Sequence, residues 1–406
     1  TLAPVPTATH EAYPFPYPVP TEIGAYPAPT GNAPLPTPSE PLASLTGLST
    51  LSSANAAEAA VLAAIPTLQD TRVVWAANGT QFAIFHPFSR GEIWLFSLTT
   101  GSLAPIIMQG HAQPVTGVAF SPDGTFLVST GQDGYLRVWD TQAGTQSTLL
   151  ELAPFFQNST FADGVEFSPD GNQLALFATQ DSALYLFNFP LDASPPVALA
   201  WTEHASPVVS VYPAPDWQTF AWVGRGTLVL MNADGTFRGT QLNHEDFITN
   251  VYFSPDSHRL FVQTSQLSND APAGVVMVYD VQSGQPVQTL IHADSVITSA
   301  LSPDAVTLAA SSASQVILWE WPTGAEKWVV SDLPDVAHTL AFSPDGSLLV
   351  GTFNGGVIQV WDAATGQMVA AYQLGGELSG VRFVAAGTVL AVTQYDGTVL
   401  LLGITP

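Results

Sequence analysis

The chain has 406 residues, 46% of them hydrophobic, and carries 33 acidic against eight basic side chains, a formal net charge of −25. A surface of that sign repels phosphate backbones and anionic lipid, which removes nucleic acid from the expected partners. The absence of cysteine excludes disulfides, zinc–thiolate sites and thiol chemistry, and no run reaches the ~18 apolar residues of a membrane helix.

The chain opens at Thr1 without an apolar leader. This reads as a mature exported product, extracellular or held at the cell surface. Residues 1–50 form a Pro-rich extended arm. Twelve of the first 41 residues are proline, no Lys or Arg precedes Arg72, and Glu11, Glu22 and Glu40 are the only acids. Within the arm, Tyr13, Phe15, Tyr17 and Val19 alternate with Pro14, Pro16, Pro18 and Pro20. In an extended strand, alternate residues present N–H and C=O to the same edge. The prolines therefore strip every N–H from one edge and leave the other intact. Such a segment can join a sheet along one edge only, with its aromatics and Tyr26 supplying apolar area. Two other readings stay open: a polyproline-II segment lying in an aromatic groove, and a semi-extended stalk.

After the arm, residues 52–70 predict a short alanine-rich helix followed by a strand at 62–68. From there a repeat sets in. "VAFSPDGTFLVST" (118–130) recurs at 165–177, 251–263 and 340–352, with weaker copies at 211–223 and 299–311 and degenerate ones at 73–85 and 381–393. The turn position falls at Asn78, Asp123, Asp170, Asp216, Asp256, Asp304, Asp345 and Ala386, which makes eight units. Apolar alternation runs into Ser-Pro-Asp-Gly, where Pro presets φ and Gly relieves the exit. A second strand follows, then a third such as "YLRVWD" (135–140), and a Gly turn leads to a fourth. The last unit stops after its third strand at 398–404.

Trp139-Asp140, Trp361-Asp362, the Ser-Pro-Asp-Gly turns, and a histidine ahead of the first strand in several units (His111, His204, His244, His292 and His338) carry a resemblance. Over residues 51–406 the chain resembles the WD-repeat β-propeller family, in an exported bacterial form with a Pro-rich N-terminal arm. The resemblance implies an all-β, eight-bladed propeller closed by an N-terminal strand, here 62–68, which completes the blade begun near Gly376. It also implies that His111, Ser129, Asp133 and Trp139 form the family's structural hydrogen-bond tetrad. The seventh unit has Gly351 and Gly355 at the matching places, beside His338 and Trp361.

A His-Ser-Asp trio also suits a hydrolase, but in that family the network is buried. The remaining histidines fall in different blades and cannot converge on one metal. No phosphate-binding loop, paired-histidine zinc helix or calcium loop is present. Glu245-Asp246, and Asp332 near Asp335, read as solvated rims, and Asn78-Gly79-Thr80 and Asn158-Ser159-Thr160 match glycosylation sequons. No catalytic, cofactor-binding or metal-ligating residue is expected, and no cofactor.

The functional expectation is a non-enzymatic extracellular structural protein. Its arm docks on a neighbouring copy, head to tail, to build a filament or surface layer. The alternative is a monomeric secreted binding module or adhesin that presents the propeller face to a glycan or protein, with the arm as a stalk.

Overall fold

The computed structural model describes residues 48–406 apart from 68–69, 88–89, 100–103, 193, 202–207, 225, 244–246, 266–273, 293–295, 332 and 404–406. The arm residues Tyr13, Pro14, Phe15, Pro16, Tyr17, Pro18, Val19, Pro20 and Tyr26 lie outside the described residues, as do His204, His244, Glu245, Asp246 and Asp332.

The Ser-Pro-Asp-Gly turns set the architecture. In the second unit Ser121 Oγ donates to Asp123 Oδ1 (2.5 Å) and accepts the amide of Phe126 (2.9 Å), and the Thr125 amide donates to Asp123 Oδ1 (3.0 Å). Gly124 exits at φ +73°, a conformation that costs an L-residue about 1–2 kcal/mol. The serine–aspartate bond recurs at Ser168–Asp170, Ser302–Asp304 and Ser343–Asp345, and between Ser254 and Asp256. Where the motif decays the backbone keeps the turn, with Trp217, Ser257 and Ala305 at φ 58°, 62° and 57° and Ala385 and Ala386 at 48° and 54°.

These turns fold the chain into eight four-stranded antiparallel sheets, an eight-bladed β-propeller. Blades 1 to 8 run over residues 72–109, 115–151, 164–200, 208–243, 247–292, 298–330, 337–373 and 378–403. The eighth has only three strands of its own. Its fourth is Ala60–Ile65, which pairs antiparallel with Val399–Gly403 from Ala60 opposite Gly403 to Ile65 opposite Val399.

That strand starts two residues earlier than the 62–68 expected and ends at Ile65, because Pro66 has no N–H to continue a ladder. The expected helix is a single 3-10 turn, Ala56–Glu58. Ahead of it Leu51 is already buried, and its amide donates to Gly387 O at 3.0 Å.

The described residues fall into two compact units, one holding 157–159 and 172–333 and the other the remainder. In the latter, Ala63 and Ile65 pack with Phe82, Phe96, Val399 and Leu401, and Leu51 and Ala56 pack with Leu348, Val360 and Leu402. In the former, Trp222, Phe220 and Leu184 form one core cluster and Phe261, Leu308 and Trp319 another.

Ile65 is 1% exposed at the end of the closing strand, whereas Val61 on the same strand is 47% exposed. Ile65→Ala should cost about 2–5 kcal/mol and Val61→Ala within about 0.5 kcal/mol, measured by denaturant unfolding. Equal effects would mean that this strand does not support the last blade.

Candidate functional site

The strongest concentration of polar side chains lies in blade 2. His111 enters the blade, Ser129 sits on its second strand, Asp133 in the following loop and Trp139 on its third strand. The structure brings all four together. Trp139 Nε1 donates to Ser129 Oγ (2.9 Å), Ser129 Oγ lies 2.7 Å from His111 Nε2, and His111 Nδ1 lies 2.9 Å from Asp133 Oδ1. A neutral imidazole protonated on Nδ1 suits these three links: indole to hydroxyl, hydroxyl to Nε2, Nδ1 to carboxylate. Gly131 makes room for this, since a Cβ there would stand 2.4 Å from His111 Nδ1.

A fifth member, Arg137, went unseen in the sequence. Its guanidinium donates to Asp133 Oδ2 (3.0 Å) with Nη1 2.8 Å from His111 Nδ1, and the Ala112 amide donates to the same Oδ2 (3.0 Å). The signal was present: in a chain with eight basic residues, one stands inside an apolar strand four positions after Asp133.

Burial lowers the His111 pKa, and the Arg137 charge adds to this against the opposing pull of Asp133. For Asp133 burial works upward, but bonds from His111 and the Ala112 amide outweigh it and hold the carboxyl below its usual range. Ser129 is 0% exposed. With its hydroxyl proton turned to His111, one lone pair on the Trp139 indole and no exposed surface, it is placed as a structural link rather than a nucleophile. The group ties two strands and two loops of one blade together.

Blade 3 uses the same device with different residues. Asp181 accepts the amides of Gln157 (3.0 Å), Asn158 (2.6 Å) and Ser159 (2.9 Å) and the hydroxyl of Tyr185 (2.7 Å). Burial raises the Asp181 pKa, but the Tyr185 bond and the three amides together leave it lowered.

His292 is fully buried and its ring meets Trp319 edge-on, with centroids 6.1 Å apart. His338 corrects an expectation. It lies inside the first strand of blade 7, Ala337–Phe342, rather than ahead of it, and its Nε2 meets Asn354 Oδ1 at 2.6 Å. The interval from histidine to turn aspartate is 12 residues at His111 but only seven at His338, so the ring belongs to a different position. Gly351, at the serine position of blade 7, leaves space that the Trp361 ring fills. His86, which the sequence did not single out, is buried with Nδ1 3.3 Å from Thr71 Oγ1. Burial and the nearby Arg90 lower its pKa to about 4.

Among the described residues no group of three or more His, Asp or Glu side chains could hold a metal ion, and no helix is long and apolar enough to cross a membrane.

Repeated four-stranded blades, serine–aspartate turn locks and one complete His-Ser-Asp-Trp clamp define a WD-repeat-like β-propeller, an architecture suited to protein–protein contact. The WD40 family (WD domain, G-beta repeat) matches residues 104–140 and 334–362, the segments around the clamp and blade 7. The chain is similar to the guanine nucleotide-binding protein subunit beta of Solanum tuberosum, 27% identical over 71% of this chain and 80% of that protein. The Zea mays protein of the same name is 25% identical over 64% and 72%. WD repeat-containing protein 90 of Mus musculus is 26% identical over 72% of this chain but 14% of its own length. Among solved structures, the computationally designed Ika8 protein shares the fold with a TM-score of 0.64 at 20% identity, covering 84% of this chain and 98% of that one. The Myceliophteria thermophila Cps50 (Swd1) β-propeller domain does so with a TM-score of 0.51 at 14% identity, covering 86% and 100%.

Two measurements test the clamp and its neighbours. His111→Ala strands Ser129 and Asp133 and should cost about 1–3 kcal/mol, read by denaturant unfolding, without changing any binding or assembly at permissive temperature. His86 binds its proton near 6.5 when unfolded and near 4 when folded, so the unfolded state carries more protons between those values. Stability should fall as pH drops through that window, by on the order of 3 kcal/mol from this residue. His86→Gln should flatten the decline, and an unchanged slope would remove His86 as its source.

Proposed function

We propose that this protein is a non-enzymatic extracellular structural protein that assembles with copies of itself through its N-terminal arm. The observation that carries the reading is the strict alternation of Tyr13, Phe15, Tyr17 and Val19 with Pro14 to Pro20, on a chain whose blades each end, among the described residues, in an outer strand paired along one edge. A segment with one pairing edge can extend a sheet once and then stop, which favours defined junctions over open-ended aggregation.

The outer strands offer suitable surfaces. On Pro286–His292 of blade 5, Val287 (50% exposed), Thr289 and Ile291 (65% exposed) form a β-branched row at every second position, the same period as the arm's aromatics. The strand carries no Lys, Arg, Asp or Glu. Ile107, Leu149 and Val197 are likewise exposed on outer strands of blades 1, 2 and 3. The arm has no cation before Arg72 to attract an acidic neighbour, so apolar burial and strand pairing must supply the attachment. Docking on a neighbour's surface is heterologous and leads to rings or filaments. Relatives named as subunits support the broader reading of a scaffold that works through protein contacts.

The test is the arm itself. Removing residues 1–47 should leave a folded propeller and abolish polymers in negative-stain microscopy and sedimentation. Burying one large aromatic contributes about 1.5–3 kcal/mol, so replacing Tyr13, Phe15 and Tyr17 together by serine should weaken each junction by several kcal/mol. Salt should leave assembly intact or favour it, because it screens repulsion between acidic copies. Normal assembly of the truncated protein, or dissolution in moderate salt, would return the arm to the role of a stalk.

A further inference from the structure

Two Asn-Gly pairs occur in the chain, Asn78-Gly79 and Asn354-Gly355. In this dipeptide a backbone nitrogen can reach the preceding carboxamide with least obstruction, because glycine brings no Cβ and turns freely. The two pairs stand in opposite surroundings.

At the first pair the Gly79 amide donates to Ala76 O (2.9 Å) and the Gly79 carbonyl accepts from Ala385 N (3.1 Å). The Asn78 Oδ1 is held by the amide and hydroxyl of Thr80 at 2.9 and 2.8 Å. A Cβ on Gly79 would lie 2.4 Å from Ala385 N. The Gly79 peptide is bonded on both sides and packed against Ala385, with no carboxylate bonded to its N–H.

At the second pair, in the loop between Leu348–Phe353 and Val357–Asp362, a Cβ on Gly355 would meet nothing within 4 Å. Asn354, Gly355, Asp335 and Glu377 are all exposed. The carboxamide is gripped from both sides: Oδ1 lies 2.6 Å from His338 Nε2, and Nδ2 donates to Asp335 Oδ2 at 3.0 Å. The Gly355 N–H points at Glu377, 3.3 Å from each carboxylate oxygen, and Gln373 Nε2 donates to the Gly355 carbonyl at 2.5 Å.

We propose that Asn354-Gly355 is a self-modification site, at which the asparagine deamidates through a cyclic imide with the surrounding side chains assisting. Glu377 takes the proton from the Gly355 nitrogen as general base, and that nitrogen forms a bond to Asn354 Cγ. With its proton on Nε2, His338 donates to the oxygen that becomes negative. The Cγ–Nδ2 bond then breaks, and the departing nitrogen takes the proton held by Glu377 and leaves as ammonia. Water adds to one of the two imide carbonyls and opens the ring, leaving an aspartyl or a β-linked isoaspartyl residue at position 354. The balance is one water consumed and one ammonia released, with no change of oxidation state. The new carboxylate then faces Asp335 Oδ2 where an N–H donor stood, so repulsion replaces a hydrogen bond and the loop of blade 7 loosens with age.

The experiment is incubation of the intact folded protein in neutral buffer, followed by peptide mass spectrometry with isoaspartate detection at both Asn-Gly pairs. Position 354 should convert several-fold faster than position 78 in the same molecules, and unfolding in denaturant should bring the two rates together. Glu377→Gln, an exposed substitution that leaves the core untouched, should slow conversion at 354 several-fold and leave 78 unchanged. His338→Gln should also slow it. Equal native rates at the two positions, faster conversion at 78, or a Glu377→Gln rate at 354 matching the unaltered protein would each overturn the proposal.

Discussion

The pairing of Ala60–Ile65 with Val399–Gly403 is the constraint on which the last blade depends. Seven blades are built from four consecutive strands each; the eighth takes its outer strand from the other end of the described chain. Without it, Val399–Gly403 would end the blade as an apolar edge of fully buried character exposed to water and to other chains. The entropic cost of bringing distant segments together grows only slowly with their separation. The apolar burial of Ala63 and Ile65 among Phe82, Phe96 and Leu401 offsets it.

Within a blade, polar side chains do work that apolar packing cannot, because loops must be fixed in direction as well as held down. The turn aspartates align backbone amides, and the clamp of blade 2 directs two loops through one imidazole. What separates this group from a catalytic triad is burial, with the serine bonded to both an indole and the imidazole. A nucleophile needs a lone pair facing a substrate, and Ser129 is 0% exposed. Asp181 in blade 3 reaches the same mechanical end with backbone amides and a tyrosine, so the carboxylate in that loop matters more than the identity of its donors.

The charge of the molecule shapes its partners. With 33 acidic and eight basic residues, cations are spent sparingly. Arg137 serves the clamp and Arg259 pairs with Asp280, so long-range attraction to an acidic partner has little to draw on. Exposed apolar side chains such as Ile107, Leu149, Val197 and Ile291 lie on the outer strands instead.

Repeat spacing, turn chemistry and the unfinished eighth unit made the fold, the blade number and the closing strand legible, because each rests on local rules of proline, glycine and alternation. The tetrad of blade 2 was legible only through the resemblance to WD-repeat propellers, and the bonds among His111, Ser129, Asp133 and Trp139 were supplied by the fold. The roles of Arg137, Asp181 and His86, and the displacement of His338 into a strand, were decided only by tertiary structure. So was the contrast between two identical Asn-Gly dipeptides, one sealed against Ala385 and the other open beside Glu377. A side chain's chemistry is set by what surrounds it, and those surroundings come from segments that the linear order does not place together.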